Sequence, residues 1–130
     1  MEARKRKVLT LDQAPKPGEF CGESMFGGRK ADLLVRLWDG RVMPIECKVS
    51  NSSTNSIKRL NNDAAVKATI WLERFGTYGV VPAAVLSGVY KLKNLEDAQG
   101  GGLAIFWAHG LQALVDWIEA TRGKPSRGVR

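Results

Sequence analysis

The stretch from Ala31 to Val49 constrains the fold more than any other part of the sequence. It contains two runs in which apolar and polar residues alternate, and Trp38-Asp39-Gly40 joins them. Alternation with a period of two predicts β-strands, and a short connection containing Asp-Gly is typical of a hairpin turn. The register then matters, because a slip of one residue would move every side chain to the other face of the sheet.

Two turn lengths fit this hairpin, and the side-chain pattern chooses between them. A two-residue turn at Asp39-Gly40 would mix apolar and charged side chains on each face. A three-residue loop, with Gly40 in the left-handed conformation, pairs Leu37 with Arg41 and separates the two kinds. One face then carries apolar residues, namely Ala31, Leu33, Val35, Leu37, Met43, Ile45, Cys47 and Val49. The other face carries Asp32, Leu34, Arg36, Val42, Pro44, Glu46 and Lys48. We therefore predict the three-residue loop.

This register places Asp32 opposite Glu46, with Lys48 two residues further along the same face. Opposed residues of an antiparallel pair have Cβ atoms roughly 4.5–5.5 Å apart, and like charges so placed are unfavourable. A cation between the carboxylates would remove the repulsion, and Mg²⁺ is suited to this because it takes oxygen ligands and keeps several waters. The plainer interpretation is a half-exposed sheet face with ordinary charges, and the spacing alone leaves both open.

Asp32, followed after thirteen residues by Glu46-Cys47-Lys48, resembles the signature of the PD-(D/E)XK nuclease superfamily. From about Gly27 to Glu119 the chain is similar to type II restriction endonucleases of the XamI sort. Ala31 stands where the superfamily has a proline, but that position does not ligate metal. The resemblance therefore rests on a short motif together with the predicted order of elements around it.

The resemblance implies a Mg²⁺-dependent DNA endonuclease that hydrolyses phosphodiester bonds and leaves 5′-phosphate ends. It assigns Asp32 and Glu46 to the metal, with the backbone carbonyl of Cys47 as a further ligand. Lys48 would orient the attacking water and stabilise the developing charge. Two alternatives stay open. One is a DNA-binding module, or a truncated half of a nuclease, that does not cleave; the other is a junction-resolving or repair nuclease that recognises DNA shape.

A polar loop, Ser50 to Ser56, and a helix, Ile57 to Phe75, follow the motif. Hydroxyl, amide and basic side chains here are candidates for DNA contact, namely Asn51, Ser53, Asn55, Ser56, Lys58, Arg59 and Asn62. An apolar stripe on the helix is expected to pack on the apolar face of the hairpin. Asp63 can pair with Arg59 and Lys67 along the helix, which explains these charges as a solvated surface.

The remaining elements complete an α/β fold. A strand is predicted at Glu19–Phe26 and another at Val80–Leu86, and a short helix at Asn94–Gln99 follows. A strand at Leu103–Ala108 and an amphipathic helix at Leu111–Thr121 come last. This order resembles the restriction-endonuclease-like core, a mixed sheet of about five strands flanked by helices. His109 lies alone at a strand end and has no partner motif, so we do not assign it to catalysis.

Composition divides the chain into a basic arm and linker at 1–18, a nuclease-like domain at 19–121 and a basic tail at 122–130. Lys and Arg number 20 against 13 Asp and Glu, and the net charge of +7 favours a polyanion such as DNA as partner. Two cysteines do not make a disulfide framework, so a cytoplasmic protein is expected. The chain has no apolar run long enough for a membrane helix and no secretory signal. Val66 and Ile70 lie off the apolar stripe and are candidate contacts of a homodimer.

Overall fold

A computed structural model of the protein describes residues 6–8, 10–52 and 57–123. The described strands are β1 (Arg6–Val8), β2 (Phe20–Cys21), β3 (Ser24–Phe26), β4 (Arg29–Ala31), β5 (Leu33–Arg36), β6 (Val42–Ser50), β7 (Ala83–Gly88) and β8 (Ala104–Trp107). A π-helical segment, Ile57–Ala64, runs directly into helix α1 (Ala65–Phe75), and α2 (Leu92–Gly100) and α3 (Leu111–Gly123) follow. Within these ranges no helix is both long and apolar enough to cross a membrane.

The main sheet is mixed and has the strand order β2-β5-β6-β7-β8. Strands β2, β5 and β6 pair antiparallel, whereas β6, β7 and β8 pair parallel. A second, smaller sheet has the strand order β1-β3-β4. The predicted α/β fold with a mixed sheet of about five strands is therefore confirmed. The predicted strand at Glu19–Phe26 is in fact two strands, β2 and β3, which belong to different sheets.

The hairpin has the predicted register. Leu33 pairs with Ile45 and Arg36 with Val42, and the N–H of Leu37 donates to the carbonyl of Arg41 at 2.8 Å. Gly40 has a φ of 98°, the left-handed conformation that the three-residue loop requires. The ladder ends at Leu33, however, because the chain bends at Asp32 between β4 and β5. Asp32 thus lies at the junction of the two sheets rather than inside a strand.

Each face of the main sheet is covered by a different helix. Leu37, Met43 and Ile45 pack with Leu114, Trp117 and Ile118 of α3. On the opposite face, Leu60, Ala64 and Ala68 pack on Ala84 and Leu86, while Trp71 packs on Leu34 and Val42. The expectation that the helix after the hairpin would cover its apolar face is wrong. That helix covers the face that carries Glu46, because Leu34, Val42 and the residues of β7 make this face apolar too.

Part of the predicted arm belongs to the folded structure. Strand β1 pairs parallel with β3, and Val8 is fully buried. The guanidinium of Arg36 donates to the carbonyls of Leu11 and Pro15 at 3.2 and 3.1 Å, which ties the following segment to the hairpin. Residues 1–5 lie outside the described part of the chain.

The predicted basic tail begins inside α3. The guanidinium of Arg122 lies 4.3 Å from the ring centroid of Trp38, at the hairpin loop. The N–H of Trp38 donates to the hydroxyl of Thr121 at 3.2 Å, and this hydroxyl donates to the carbonyl of Ile118 at 2.6 Å. These contacts hold the hairpin loop against the helix. Residues 124–130 lie outside the described part.

Candidate active site

Strand β6 places Glu46 and Lys48 on the same face, because alternate residues of a strand point the same way. The π-helical segment and α1 cover this face, so the side chain of Glu46 is only 1% exposed and that of Lys48 is 14% exposed. Oε1 of Glu46 lies 3.5 Å from Nζ of Lys48. A carboxylate so deeply buried requires partners of opposite charge.

The helix supplies those partners. Nζ of Lys67 donates to Oε1 of Glu46 at 2.9 Å and lies 3.7 Å from Oδ1 of Asp63, one helical turn away. Oδ2 of Asp63 accepts a hydrogen bond from the ammonium of Lys48. Glu46, Lys48, Asp63 and Lys67 thus form a closed set of two acids and two bases, which we call the charge ring.

The charge ring affects the pKa of Asp63. Partial burial alone would raise this pKa, but the hydrogen bond and charge of Lys48, and then those of Lys67, outweigh it and lower the pKa below its ordinary value. Asp63 is therefore a carboxylate at neutral pH, and it gives Lys48 a fixed acceptor. The ring joins the central strand of the sheet to the helix that covers it.

The carboxylate of Asp32 contacts the backbone of the same strand. In the observed register the N–H of Cys47 would continue the ladder by donating to the carbonyl of Ala31. It donates instead to Oδ2 of Asp32, at 2.8 Å. Oδ1 of Asp32 lies 3.3 Å from Nζ of Lys30, and the hydrogen bond and charge of Asp32 raise the pKa of Lys30. The bend at Asp32 therefore aims its carboxylate at the residue between Glu46 and Lys48.

The structure pairs Glu46 with Lys48 and joins the carboxylate of Asp32 to the backbone of Cys47, which lies between them. It adds Asp63 and Lys67, which sequence reasoning treated as surface charges. Asp63 and Lys67 do pair along the helix, as the spacing indicated. Their contacts with Lys48 and Glu46 were missed, since the helix was expected on the other face of the sheet. The available signal was their position beside Ala64 and Ala68 of the buried stripe.

The donor set fits a divalent metal. Oε2 of Glu46 is buried and has no hydrogen-bond partner, although Oε1 is paired. In the described ranges no three side chains of His, Cys, Asp or Glu come together as a metal cluster. Two carboxylates supplemented by a backbone carbonyl and waters suit Mg²⁺, which usually keeps several waters. They do not suit zinc, which prefers nitrogen and sulfur ligands.

Cys47 differs from its predicted environment. Its side chain is exposed, as is that of Val49 at 59%, because α3 covers Met43 and Ile45 but does not extend over the end of β6. The partial burial of the thiol still raises its pKa, and the nearby charges of Asp32 and Glu46 raise it further. Cys47 is therefore exposed although it belongs to the predicted apolar face of the hairpin.

A basic groove adjoins the charge ring. It has a volume of about 470 Å³ and is lined by Lys58, Arg59, Asn62 and Asp63. Asn51 is exposed at the end of β6. The other three candidates for DNA contact, Ser53, Asn55 and Ser56, lie outside the described residues. Because Asp63 belongs to both the groove and the charge ring, a backbone phosphate in the groove would lie beside the charge ring.

Comparison with known proteins identifies the family. The family described as XamI restriction endonuclease matches residues 1–107. The chain belongs to the XamI restriction endonuclease family. It is 58% identical over 85 residues to the type II restriction enzyme XamI of Xanthomonas campestris pv. amaranthicola, a match that covers 65% of this chain and 31% of that protein. The predicted similarity to type II restriction endonucleases of the XamI sort is confirmed.

A solved structure supports the fold of this XamI-family chain. The crystal structure of protein VC1899 from Vibrio cholerae matches with a TM-score of 0.56 and 17% sequence identity, over 88% of this chain and 31% of that one. The likeness concerns the fold alone. The chain spans about 31% of the length of each of these two proteins.

Proposed function

We propose that this chain carries the phosphodiester-cleaving site of a Mg²⁺-dependent type II restriction endonuclease. The observation that supports this most strongly is the carboxylate of Glu46, which is buried with one oxygen paired and the other without a partner. An unpaired buried carboxylate oxygen is costly, and a bound cation removes that cost. Family membership supports DNA as the substrate. The proposed nuclease-like unit consists of residues 19–121 together with strand β1, which pairs with β3, and the end of α3.

Asp32 and Glu46 are the proposed metal ligands, and the backbone carbonyl of Cys47 is a third. The N–H of Cys47 orients the carboxylate of Asp32, and Lys67 orients that of Glu46. When bound, Mg²⁺ offsets charge on the scissile phosphate and lowers the pKa of a coordinated water. Lys48 has its ammonium held between Glu46 and Asp63, and it donates a hydrogen bond to the attacking water and offsets the charge that develops on the phosphate.

The basic groove is the proposed DNA contact. Lys58 and Arg59 are exposed and would bind backbone phosphates, and Asn62 would add a hydrogen bond. Asn51, Ser53, Asn55 and Ser56 of the preceding loop are proposed to contact the same strand. Phosphate contacts of this kind place the backbone without reading its sequence. The groove would thus position the scissile bond, and other residues would recognise the base sequence.

Lys48→Ala tests the assignment of the site. The variant should bind DNA like wild type in Ca²⁺ and lose cleavage in Mg²⁺. Lys93→Ala is the matched control, because Lys93 is 84% exposed on α2 and pairs only loosely with Asp97 at 3.8 Å. Cleavage by Lys48→Ala at the wild-type rate would remove Lys48 from the mechanism.

Linear, supercoiled and branched DNA should be compared with the wild-type protein. Cleavage of linear and supercoiled duplex supports the restriction-type activity. A strong preference for branched substrates would favour the junction-resolving or repair function instead. Binding without cleavage of any substrate in Mg²⁺ would favour the DNA-binding module.

We also propose that the protein acts as a homodimer, since cutting both strands generally requires two active sites. Val66 is 44% exposed on the outer side of α1, and Ile70 follows it one turn later and is half-buried. A partly exposed apolar pair on a helix is suited to a contact between two copies.

A further inference from the structure

The ammonium of Lys67 makes two hydrogen bonds and lies close to a second carboxylate. Its Nζ donates to Oε1 of Glu46 at 2.9 Å and to the carbonyl of Lys30 at 3.0 Å, and it lies 3.7 Å from Oδ1 of Asp63. An ammonium has three protons, and these two hydrogen bonds use two of them. Its side chain is only 13% exposed, so neither water nor salt screens its charge well. The Lys67 ammonium is therefore held in a fixed position and is not a loosely paired surface lysine.

We propose that Lys67 is the internal counter-ion of Glu46, a positioning residue that takes the place of metal charge in the metal-free protein and thereby weakens metal binding. The inference rests on the proposed function in one respect, since it takes Glu46 to be a metal ligand. Lys67 holds Oε1, which leaves Oε2 as the oxygen that faces no partner. Without Lys67 the buried carboxylate would face only Lys48, at 3.5 Å.

Two opposite effects follow from this placement. In the absence of metal, Lys67 stabilises the folded protein because it neutralises a buried carboxylate. In the presence of a divalent cation, the same positive charge repels the ion from a site of low exposure, where charges interact strongly. Lys67 therefore stabilises the metal-free fold and at the same time lowers the affinity of the site for metal. A lysine with a purely structural role would affect stability without changing metal affinity.

The test measures Mg²⁺ binding by titration calorimetry on the full chain, in wild type, Lys67→Gln and Lys67→Arg. Gln keeps a donor for Glu46 but removes the charge, and Arg keeps the charge. Lys67→Gln should bind Mg²⁺ about tenfold more tightly than wild type, the order expected for removing one charge from a partly buried site. Lys67→Arg and the exposed control Lys93→Gln should stay within about threefold of wild type.

A second measurement covers the case in which Lys67→Gln folds poorly without metal. Circular dichroism melting in EDTA and in Mg²⁺ should show a larger rise in Tm with Mg²⁺ for Lys67→Gln than for wild type. Wild type that binds Mg²⁺ together with a Gln variant that binds equally or less tightly would overturn the role of Lys67 and leave the proposed function standing. Failure of both proteins to bind Mg²⁺ would overturn the metal site itself, and the counter-ion role with it.

Discussion

Glu46→Gln in the absence of metal gives opposite results under two accounts of the site. The hairpin sequence alone, with Asp32 opposed to Glu46, predicts that removing one negative charge relieves a repulsion of roughly 0.2–1 kcal/mol and leaves the variant as stable as wild type or more so. The structure reverses this sign. Lys67 at 2.9 Å and Lys48 at 3.5 Å flank the buried carboxylate, so the substitution removes the negative partner of two cations.

The size of the effect follows from what glutamine retains. Breaking a buried ion pair by removing one partner costs about 3–5 kcal/mol. The glutamine side chain would fill the same volume and still offer an oxygen to Lys67, and Lys67 keeps its contacts with Asp63 and the carbonyl of Lys30. We therefore expect a loss of about 1–2 kcal/mol in the free energy of unfolding, because a hydrogen bond to a charged group exceeds a neutral one by about that amount.

Thermal melting in EDTA and in excess Mg²⁺ measures this loss. In EDTA, Tm of Glu46→Gln should fall by roughly 3–10 °C. Wild type should gain about 1.4 kcal/mol when Mg²⁺ is at ten times its Kd, whereas the variant should gain little. Glu96→Gln on the exposed side of α2 is the control and should change stability by less than about 0.5 kcal/mol. A Glu46→Gln protein that melts at or above wild type in EDTA would refute the stabilising role of the charge ring.

Three further predictions concern the groove, the thiol and the proposed dimer. Lys58→Ala and Arg59→Ala should each weaken DNA binding and reduce the salt slope by about 0.9, and unchanged slopes in a salt titration would make both a solvated helix face. Because the pKa of Cys47 is raised, its thiolate is scarce at pH 8. In a Cys21→Ser variant, iodoacetamide should therefore alkylate Cys47 more slowly than it alkylates the free amino acid cysteine, and the rate should rise only at more alkaline pH. Val66→Asp should shift sedimentation with DNA toward monomer, and a wild type that is already monomeric with and without DNA would remove the dimer.

The parts of the fold that the sequence predicted well depend on local chemistry. The turn at Gly40 and the alternation around it determined the register, and the side of β6 shared by Glu46 and Lys48 followed from that register. The stripe on the long helix was also correct from Leu60 to Trp71, since Leu60, Ala64, Ala68 and Trp71 are all buried. Each of these features requires only the spacing of neighbouring residues.

The parts that were missed depend on tertiary packing. Both faces of the central strand carry enough apolar surface to accept a helix, so one strand's pattern could not decide which helix covers which face. Asp63 and Lys67 consequently looked like a surface pair, although they complete the charge ring. The division of the segment Glu19–Phe26 into two strands was also missed. The hydroxyl of Ser24 donates to the carbonyl of Gly22 at 2.8 Å between the two strands. The alternation of apolar and polar residues does not predict this contact.

The use of two different helices to cover the sheet has a consequence for synthesis on the ribosome. Domains form from the N-terminal side as the nascent chain emerges. Helix α1 is the first helix after the hairpin in the chain, so it can cover the face that carries Glu46 early in synthesis. Met43 and Ile45 stay uncovered until α3 has been synthesised. A nascent chain paused before α3 would hold its acids and lysines in place while presenting a bare apolar sheet to other chains. Substitutions that loosen α3 should therefore reduce the yield of soluble protein in cells more than they reduce the activity of the molecules that do fold.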